Sequence, residues 1–112
     1  MKKILVVLIL SLALVGCSGK NYSNDIEKIM AENEYVIVDV RAAWEYNKGH
    51  VVDAINIPHD ELETTTKLAK DKVIFVYCQS GNRSAIAFEI LDSLGYTVYD
   101  LGGYASVDLP KE

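Results

Sequence analysis

One segment combines a thiol, a glycine and an arginine within six residues. Cys78 follows an apolar run at 72–77, Gly81 and Arg83 come next, and a helical pattern begins at Ser84. Unpaired backbone N–H groups at a helix start attract anions and lower a thiol pKa from about 8.5 into the range of roughly 3.5–7.5. Arginine adds a fixed cation whose planar fork fits an oxyanion. The segment therefore predicts a nucleophilic thiolate beside an anion site.

The residues around Cys78 are expected to shape this site. Gly81 permits a positive φ that most residues avoid. Ser84 fits two roles equally well, a helix N-cap or a ligand to the bound species. The alternative for Cys78 is a buried structural thiol, against which the neighbouring glycine and arginine argue. Three further residues are predicted to set loop shape and donor preference without chemistry of their own: Gln79, Ser80 and Asn82.

Strand and helix patterns alternate along the chain and predict an α/β fold, a parallel sheet flanked by helices on both faces. Strands are predicted at 35–40, 54–57, 72–77 and 96–101. Helices are predicted at 24–32, 42–48, 60–70 and 84–94. Three threonines weaken the prediction for 60–70. Cys78 then stands at the carboxyl end of a central strand, on the edge where open α/β sheets bind ligands.

Polar residues after the first strand belong to the same edge. Asp39 is expected to hold the neighbouring loop by hydrogen bonds. Arg41 is assigned a supporting, structural role through an ion pair with Glu45, four residues on. Trp44 is assigned to the core. His50 is interpreted as architectural, because a thiolate of lowered pKa needs no base.

Three motifs in order resemble the single-domain rhodaneses, a family of sulfurtransferases. Residues 78–84 are similar to their active-site loop, "VDVRAAWEYNKGHVVDAINIP" (38–58) to the segment before it, and "VYDLGGY" (98–104) to the stretch after the last strand. The chain departs from the family at Asp53, where a small residue such as glycine is usual. It departs again after Gly103, where a tryptophan and a short helix are usual, so a thin or open wall is expected there.

The resemblance implies a rhodanese-like fold and sulfur transfer. Cys78 would attack the sulfane sulfur of a small anion such as thiosulfate, release sulfite and keep a persulfide. A thiol or cyanide-like acceptor would then take the sulfur. Arg83 would orient the sulfonate of the donor, and the N–H groups of the loop would hold the persulfide. Neither a metal nor an organic cofactor is implied.

Two other functions remain open from the residues alone. Cysteine phosphatases and arsenate reductases also attack from a cradled thiolate, but they use Cys-x5-Arg, whereas this loop is Cys-x4-Arg and one residue tighter. A membrane-tethered relay or binding module would hold a persulfide for a protein partner and turn over thiosulfate poorly. Relay and enzyme share the same loop, so the sequence does not separate them.

The first 16 residues have the pattern of an export signal. Lys2 and Lys3 precede an apolar run at 4–15, which is shorter than the roughly 20 residues of a membrane span. Residues 14–17, "LVGC", resemble the lipobox of bacterial lipoproteins, which implies lipidation of Cys17. The alternative is an ordinary signal peptide. The predicted organisation is a signal peptide at 1–16, Cys17 with a short tether at 17–23, and one domain at 24–112.

Charge and cysteine usage limit the partners. The formal charge is −5, and a chain cleaved after residue 16 loses two of 11 cations and none of 16 acids, which makes it −7. That balance argues against nucleic acid and anionic lipid surfaces. Lipidation of Cys17 would leave Cys78 as the only thiol. The expected location is the outer face of the cytoplasmic membrane, or the outer membrane if there is one, with a docking protein as a compatible partner.

Overall fold

The structure, a computed structural model, describes residues 22–112, and side chains from Asp25 onward. The predicted signal peptide and Cys17 lie outside the described residues. Helix α1 (Tyr22–Glu32) belongs to one unit, and Asn33–Glu112 forms a second compact unit. Helix α1 begins two residues before its predicted start, so the last two residues of the predicted tether are helical. Within residues 22–112, no helix is long and apolar enough to cross a membrane.

The second unit is built on a four-stranded parallel sheet, which confirms the predicted α/β class. Its strands are β1 (Tyr35–Asp39), β2 (Ile55–Asn56), β3 (Val73–Cys78) and β4 (Thr97–Gly103). Their order across the sheet is β2-β1-β3-β4. Helices α2 (Ala43–Lys48) and α3 (Asn82–Ser93) follow β1 and β3. Short 3-10 helices occupy His59–Glu61 and Tyr104–Ser106.

The core forms around β3, in which all six residues are buried. An uninterrupted apolar strand is typical of a parallel sheet that is covered on both faces. Ala87 and Leu91 lie one helical turn apart on α3 and are fully buried in the same cluster. The central strand therefore holds Cys78 at its end, still within the buried core of the unit.

The predicted helix at 60–70 is wrong. Only His59–Glu61 is helical, as a single 3-10 turn, and turns follow it. The hydroxyl of Thr65 accepts a hydrogen bond from the amide of Lys67 (3.2 Å), so a side chain replaces a backbone partner there. Leu62 and Leu68 are both buried in the core. Their spacing of six residues does not place them on one face of a helix, so burial favours an irregular path.

The register of the sheet brings the ends of its four strands close together. Asp39 pairs with Tyr77 on one side and with Asn56 on the other. The pairing of β3 with β4 shifts between Val76 and Tyr77, so that Cys78 lies opposite Gly103. Three connections therefore start side by side at one edge of the sheet, as expected for a ligand-binding edge.

Asp53 adopts a left-handed backbone conformation, with φ at 71°. Glycine adopts that region without cost, whereas aspartate is among the few other residues found there. The turn therefore gives a physical reason for the departure at Asp53: the position calls for positive φ, and this chain meets the requirement with aspartate.

Candidate active site

The loop after β3 ends where helix α3 begins, and Gly81 stands at that junction. Gly81 has φ at 101°, as predicted for a residue that turns the backbone sharply, and it occupies the N-cap position of α3. The helix starts at Asn82, so the predicted N-cap role of Ser84 is wrong. Ser84 lies inside the first turn instead, where its side chain points at the loop. The exposed residues of the loop are Gln79, Ser80 and Asn82.

The sulfur of Cys78 is enclosed by this loop. The residue is 0 % exposed, and Sγ accepts a 2.9 Å hydrogen bond from the amide of Gly81. Burial is the largest influence and raises the pKa of the thiol. Hydrogen bonds from the Ser84 hydroxyl and from the amides of Ser84, Gly81 and Ser80 outweigh it, so the pKa lies below its ordinary value. The loop is arranged to hold a negative sulfur.

Ser84 links this sulfur to the turn. Its side chain is fully buried, and its hydroxyl donates to the carbonyl oxygen of Gly81 (3.1 Å). The same hydroxyl is within hydrogen-bonding reach of the thiol, and donation to sulfur instead lowers the pKa of Cys78. Its single proton therefore supports either the turn or the charge on sulfur.

Arg83 is held by a carboxylate from another element. Its two terminal nitrogens donate to the two oxygens of Glu45, at 2.7 and 3.0 Å. Glu45 Oε1 also accepts the amide of Ala42 (3.0 Å), at the start of α2. Hydrogen bonding to Arg83 is the main reason that the pKa of Glu45 is lowered, and Glu45 is the main reason that the pKa of Arg83 is raised. The predicted pair of Glu45 with Arg41 is therefore wrong.

Arg41 pairs with Asp39 instead. Its Nε and Nη2 donate to the carboxylate of Asp39 at 2.7 to 3.0 Å, and its backbone amide also donates to Asp39 (2.9 Å). Nη2 donates further to the carbonyl oxygen of Gly49 (2.6 Å), and Nη1 to the side chain of Gln79 (2.8 Å). Asp39 thus holds the neighbouring loop by hydrogen bonds, as predicted. Arg41, 3 % exposed, ties that loop to the residue after Cys78.

Tyr77 completes this buried network, and the sequence analysis did not single it out. Its hydroxyl donates to Asp39 (2.9 Å) and accepts the amide of Val51 (3.0 Å). Burial is the largest cause of its raised pKa, so the hydroxyl stays protonated and remains a donor. The apolar sequence of β3 gives no sign of the hydrogen bond between Tyr77 and Asp39, because Asp39 lies 38 residues away.

A pocket of about 380 Å³ opens beside the loop. Its lining residues are Arg41, Trp44, Glu45, Lys48, Gly49, Gln79 and Tyr104. The core assignment of Trp44 is wrong, since the side chain is 63 % exposed. Helix α2 has only six residues and none of them is buried, so it offers Trp44 no core position.

Tyr104 forms the wall that was expected to be thin or open. It follows Gly103 directly, and its ring stacks near that of Tyr77 (5.9 Å between centroids). The guanidinium carbon of Arg41 lies 4.4 Å from the centroid of the Tyr104 ring, close enough for a cation–π interaction. An aromatic residue directly after the paired glycines was the signal for this role.

His50 contacts Tyr46 and Glu112. Its ring stacks on Tyr46 (3.8 Å between centroids), Nδ1 lies 2.9 Å from the Tyr46 carbonyl oxygen, and Nε2 lies 3.3 Å from a carboxylate oxygen of Glu112. Among residues 22–112, no cluster of three or more His, Cys, Asp or Glu side chains is placed to hold a metal ion.

Comparisons with known proteins agree on one family. The family profile described as "Rhodanese-like domain" matches residues 23–108. The thiosulfate sulfurtransferase PspE of Escherichia coli (strain K12) is 40% identical over 78 residues, which cover 66% of this chain and 75% of that protein. A solved structure described as a rhodanese with anions from E. coli has a TM-score of 0.65 and 38% identity, and the match covers 70% of this chain and 96% of that one. A rhodanese-related protein from Thermoplasma volcanium has a TM-score of 0.66 and 34% identity, with 80% and 92% covered.

Proposed function

This chain belongs to the rhodanese-like domain family, and we propose that it is a sulfurtransferase that carries sulfane sulfur as a persulfide on Cys78. The observation that carries the proposal is the 2.9 Å hydrogen bond from the Gly81 amide to Sγ, in a loop that lowers the pKa of the thiol. A thiolate is the nucleophilic form of cysteine. PspE and other matched relatives bear the name sulfurtransferase, which supports the same general reaction.

In the first half-reaction, the thiolate of Cys78 attacks the outer sulfur of a donor such as thiosulfate. A new S–S bond forms to Cys78, and the S–S bond of the donor breaks. The leaving group takes that electron pair, so thiosulfate yields sulfite and Cys78 becomes a persulfide anion. The site contributes a thiol whose lowered pKa favours the thiolate, and hydrogen-bond donors that already face its sulfur.

In the second half-reaction, an acceptor nucleophile attacks the outer sulfur of the persulfide. A thiol or cyanide takes the sulfur, and Cys78 leaves as a thiolate with the electron pair of the broken S–S bond. The amides of Ser80, Gly81 and Ser84 hydrogen-bond the thiol, which supports their assignment to holding the outer sulfur between the two steps. The Ser84 hydroxyl supports them, while Gln79, Asn82 and the Asp39–Arg41 pair keep the loop in shape.

A persulfide relay is the second candidate function. Cys78 is 0 % exposed in the closed loop, and that enclosure favours a domain that loads sulfur and releases it when a partner opens the loop. A relay would accept one sulfur from the donor but would discharge it slowly to cyanide. A cysteine phosphatase or arsenate reductase is a weaker proposal, since the Cys-x4-Arg loop is one residue short of theirs.

We also propose that the protein is exported and anchored to the cell membrane through a lipid on Cys17. Support comes from the "LVGC" sequence that ends the apolar leader. Metabolic labelling with a radioactive fatty acid tests this. The parent chain should be labelled and found with the membrane fraction, and Cys17→Ser should be unlabelled. Label on the Cys17→Ser variant would overturn the anchor.

The reaction is tested by intact-protein mass spectrometry on the purified chain and on Cys78→Ser. Incubation with thiosulfate should add one sulfur atom to the parent and none to the variant. Cyanide should then remove that sulfur with steady release of thiocyanate. Loading without turnover would identify a relay. If the parent gains no sulfur although Cys78 was reduced at the start, the persulfide mechanism is refuted.

A further inference from the structure

We propose that Glu45 determines donor specificity: by occupying Arg83 it disfavours dianionic donors such as thiosulfate and favours organic hydropersulfides, R–S–SH, whose electrophilic form is uncharged. The inference rests on the proposed function, because it concerns the first half-reaction at Cys78. Glu45 is a specificity-determining residue that acts through Arg83. It does not touch the reacting sulfur.

Glu45 occupies the end of the Arg83 side chain that an anionic donor would use. Both terminal nitrogens of Arg83 bind Glu45, which is the face of the guanidinium fork that would otherwise receive an oxyanion. Glu45 is only 12 % exposed and Arg83 31 %, so solvent screens the pair less than a surface pair. The amide of Ala42 holds Glu45 from the other side, so the carboxylate is fixed by its own helix.

The arginines around the sulfur are already paired with carboxylates. Arg41 is matched by Asp39 at 2.7 Å, and Arg83 by Glu45 at 2.7 Å, so each arginine of the site already has a carboxylate. The thiolate of Cys78 adds one further negative charge. Lys48 lines the pocket, but it is exposed to solvent and holds its ammonium 5.4 Å from the centroid of the Trp44 ring. Lys111 likewise holds its ammonium over a ring, 5.0 Å from the centroid of Tyr104. Among residues 22–112, the arginines of the site therefore offer a dianion no unpaired guanidinium, whereas the uncharged form of an S–SH group needs none.

The pocket beside the loop has space for the organic part of a donor. The pocket of about 380 Å³ places the aromatic side chains of Trp44 and Tyr104 next to Gln79, the residue that follows Cys78. Thiosulfate has no organic part to fill such a space. The carbon chain of a hydropersulfide would pack against these rings while its outer sulfur is presented to the loop.

The reaction balances without a further reagent. The thiolate of Cys78 donates its electron pair to the outer sulfur of R–S–SH, and a new S–S bond forms. The S–S bond of the donor breaks, and its pair stays on the inner sulfur as R–S⁻. The proton remains on the transferred sulfur, so the products are Cys78–S–SH and R–S⁻.

The test compares two donors on the purified full chain and on Glu45→Gln. The donors are thiosulfate and 2-hydroxyethyl hydropersulfide, and the readout is the second-order rate constant for the gain of one sulfur on Cys78. Glutamine keeps the size of the side chain and removes the charge that binds Arg83. We expect the ratio of the thiosulfate rate to the hydropersulfide rate to rise about tenfold in Glu45→Gln. The thiosulfate rate of that variant should also fall as salt is added, since an unpaired Arg83 attracts the dianion through a screened interaction.

A double variant shows whether the effect passes through Arg83. In Glu45→Gln with Arg83→Gln, the rise in the ratio should disappear, because no cation is left for Glu45 to mask. Loss of structure alone would slow both donors together and leave the ratio unchanged, and that outcome would overturn the inference. A ratio that falls in Glu45→Gln would overturn it as well. If neither donor loads the parent chain, the proposed sulfurtransferase itself is wrong. If the parent gains sulfur but the ratio of the two donor rates is the same in Glu45→Gln, only the proposed role of Glu45 is refuted.

Discussion

The amide of Gly81 lies 2.9 Å from Sγ of Cys78, across a turn in which the glycine has φ at 101°. The bond exists because the backbone reverses direction three residues after the sulfur and directs its N–H groups inward. A residue with a side chain would resist that conformation. The main chain therefore supplies N–H donors to the nucleophile, and they act beside the Ser84 hydroxyl, which lowers the pKa of the thiol most.

Ser84→Ala should raise the pKa of Cys78, because it removes the hydroxyl that hydrogen-bonds the thiol. A hydrogen bond to a charged group contributes about 1.5–3 kcal/mol, so a shift of roughly one to two pH units is expected. Since the thiolate is the reactive form, alkylation of the parent should rise with pH and level off at lower pH than for an ordinary thiol. The pH profile of alkylation should be shifted to higher pH in Ser84→Ala. Ser93→Ala, an exposed serine on the same helix, serves as the control and should keep the parent profile.

Alanine substitutions at the two adjacent glycines of β4, Gly102 and Gly103, should have different effects. A Cβ on Gly103 would lie 2.9 Å from the carbonyl oxygen of Gln79, so Gly103→Ala must push the start of the Cys78 loop away from β4. We expect about a tenfold or greater loss in the rate of sulfur loading, since small displacements at a reacting centre are costly. Gly102→Ala meets no atom within 4 Å but has φ at 87°. It should cost about 1–2 kcal/mol of stability with loading retained, and the reverse pattern would contradict this account.

Asp39→Asn should be among the most destabilising single changes in the unit. It leaves the guanidinium of Arg41 buried without its carboxylate, at a cost of roughly 3–5 kcal/mol in the free energy of unfolding. Urea unfolding measures it. Glu34→Gln, which breaks an exposed pair with Lys72 at 4.0 Å, should change stability by less than about 1 kcal/mol.

If Asp39→Asn does not fold, Tyr77→Phe tests the same network with a smaller change. It removes only the hydroxyl that bridges Asp39 and Val51, and about 1–3 kcal/mol is expected. Equal stability of Tyr77→Phe and the parent would show that the buried network does not support the unit.

Trp44→Ala should leave the unit stable although it removes the largest side chain in the sequence. The indole is 63 % exposed, so a change of no more than about 0.5 kcal/mol is expected. Phe75→Ala is the contrast, because that ring is fully buried in β3 and its loss should cost about 3–5 kcal/mol. Thermal unfolding of both variants measures the difference. A large loss for Trp44→Ala would mean that its ring is packed in solution.

The local chemistry of the loop was predictable from the sequence. An apolar run, a cysteine, a glycine and a helical pattern in that order place Cys78 at a strand end, because these preferences act over a few residues. The main strands were predictable for the same reason. The failure at 60–70 came from threonine side chains that bind the backbone and from two leucines that reach the core at a non-helical spacing.

The pairing of charges was decided by the tertiary structure alone. Spacing within the sequence favoured Arg41 with Glu45, but the fold joins Arg41 to Asp39 and brings Glu45 to Arg83, 38 residues away. Spacing along the chain gives the distance between side chains only within one element. Between elements, that distance depends on how α2 sits against the loop, and hence on the packing of the whole unit. The sequence alone determined that this protein has an activated thiol at the edge of a parallel sheet, and the tertiary structure decided which cations around that thiol are already neutralised.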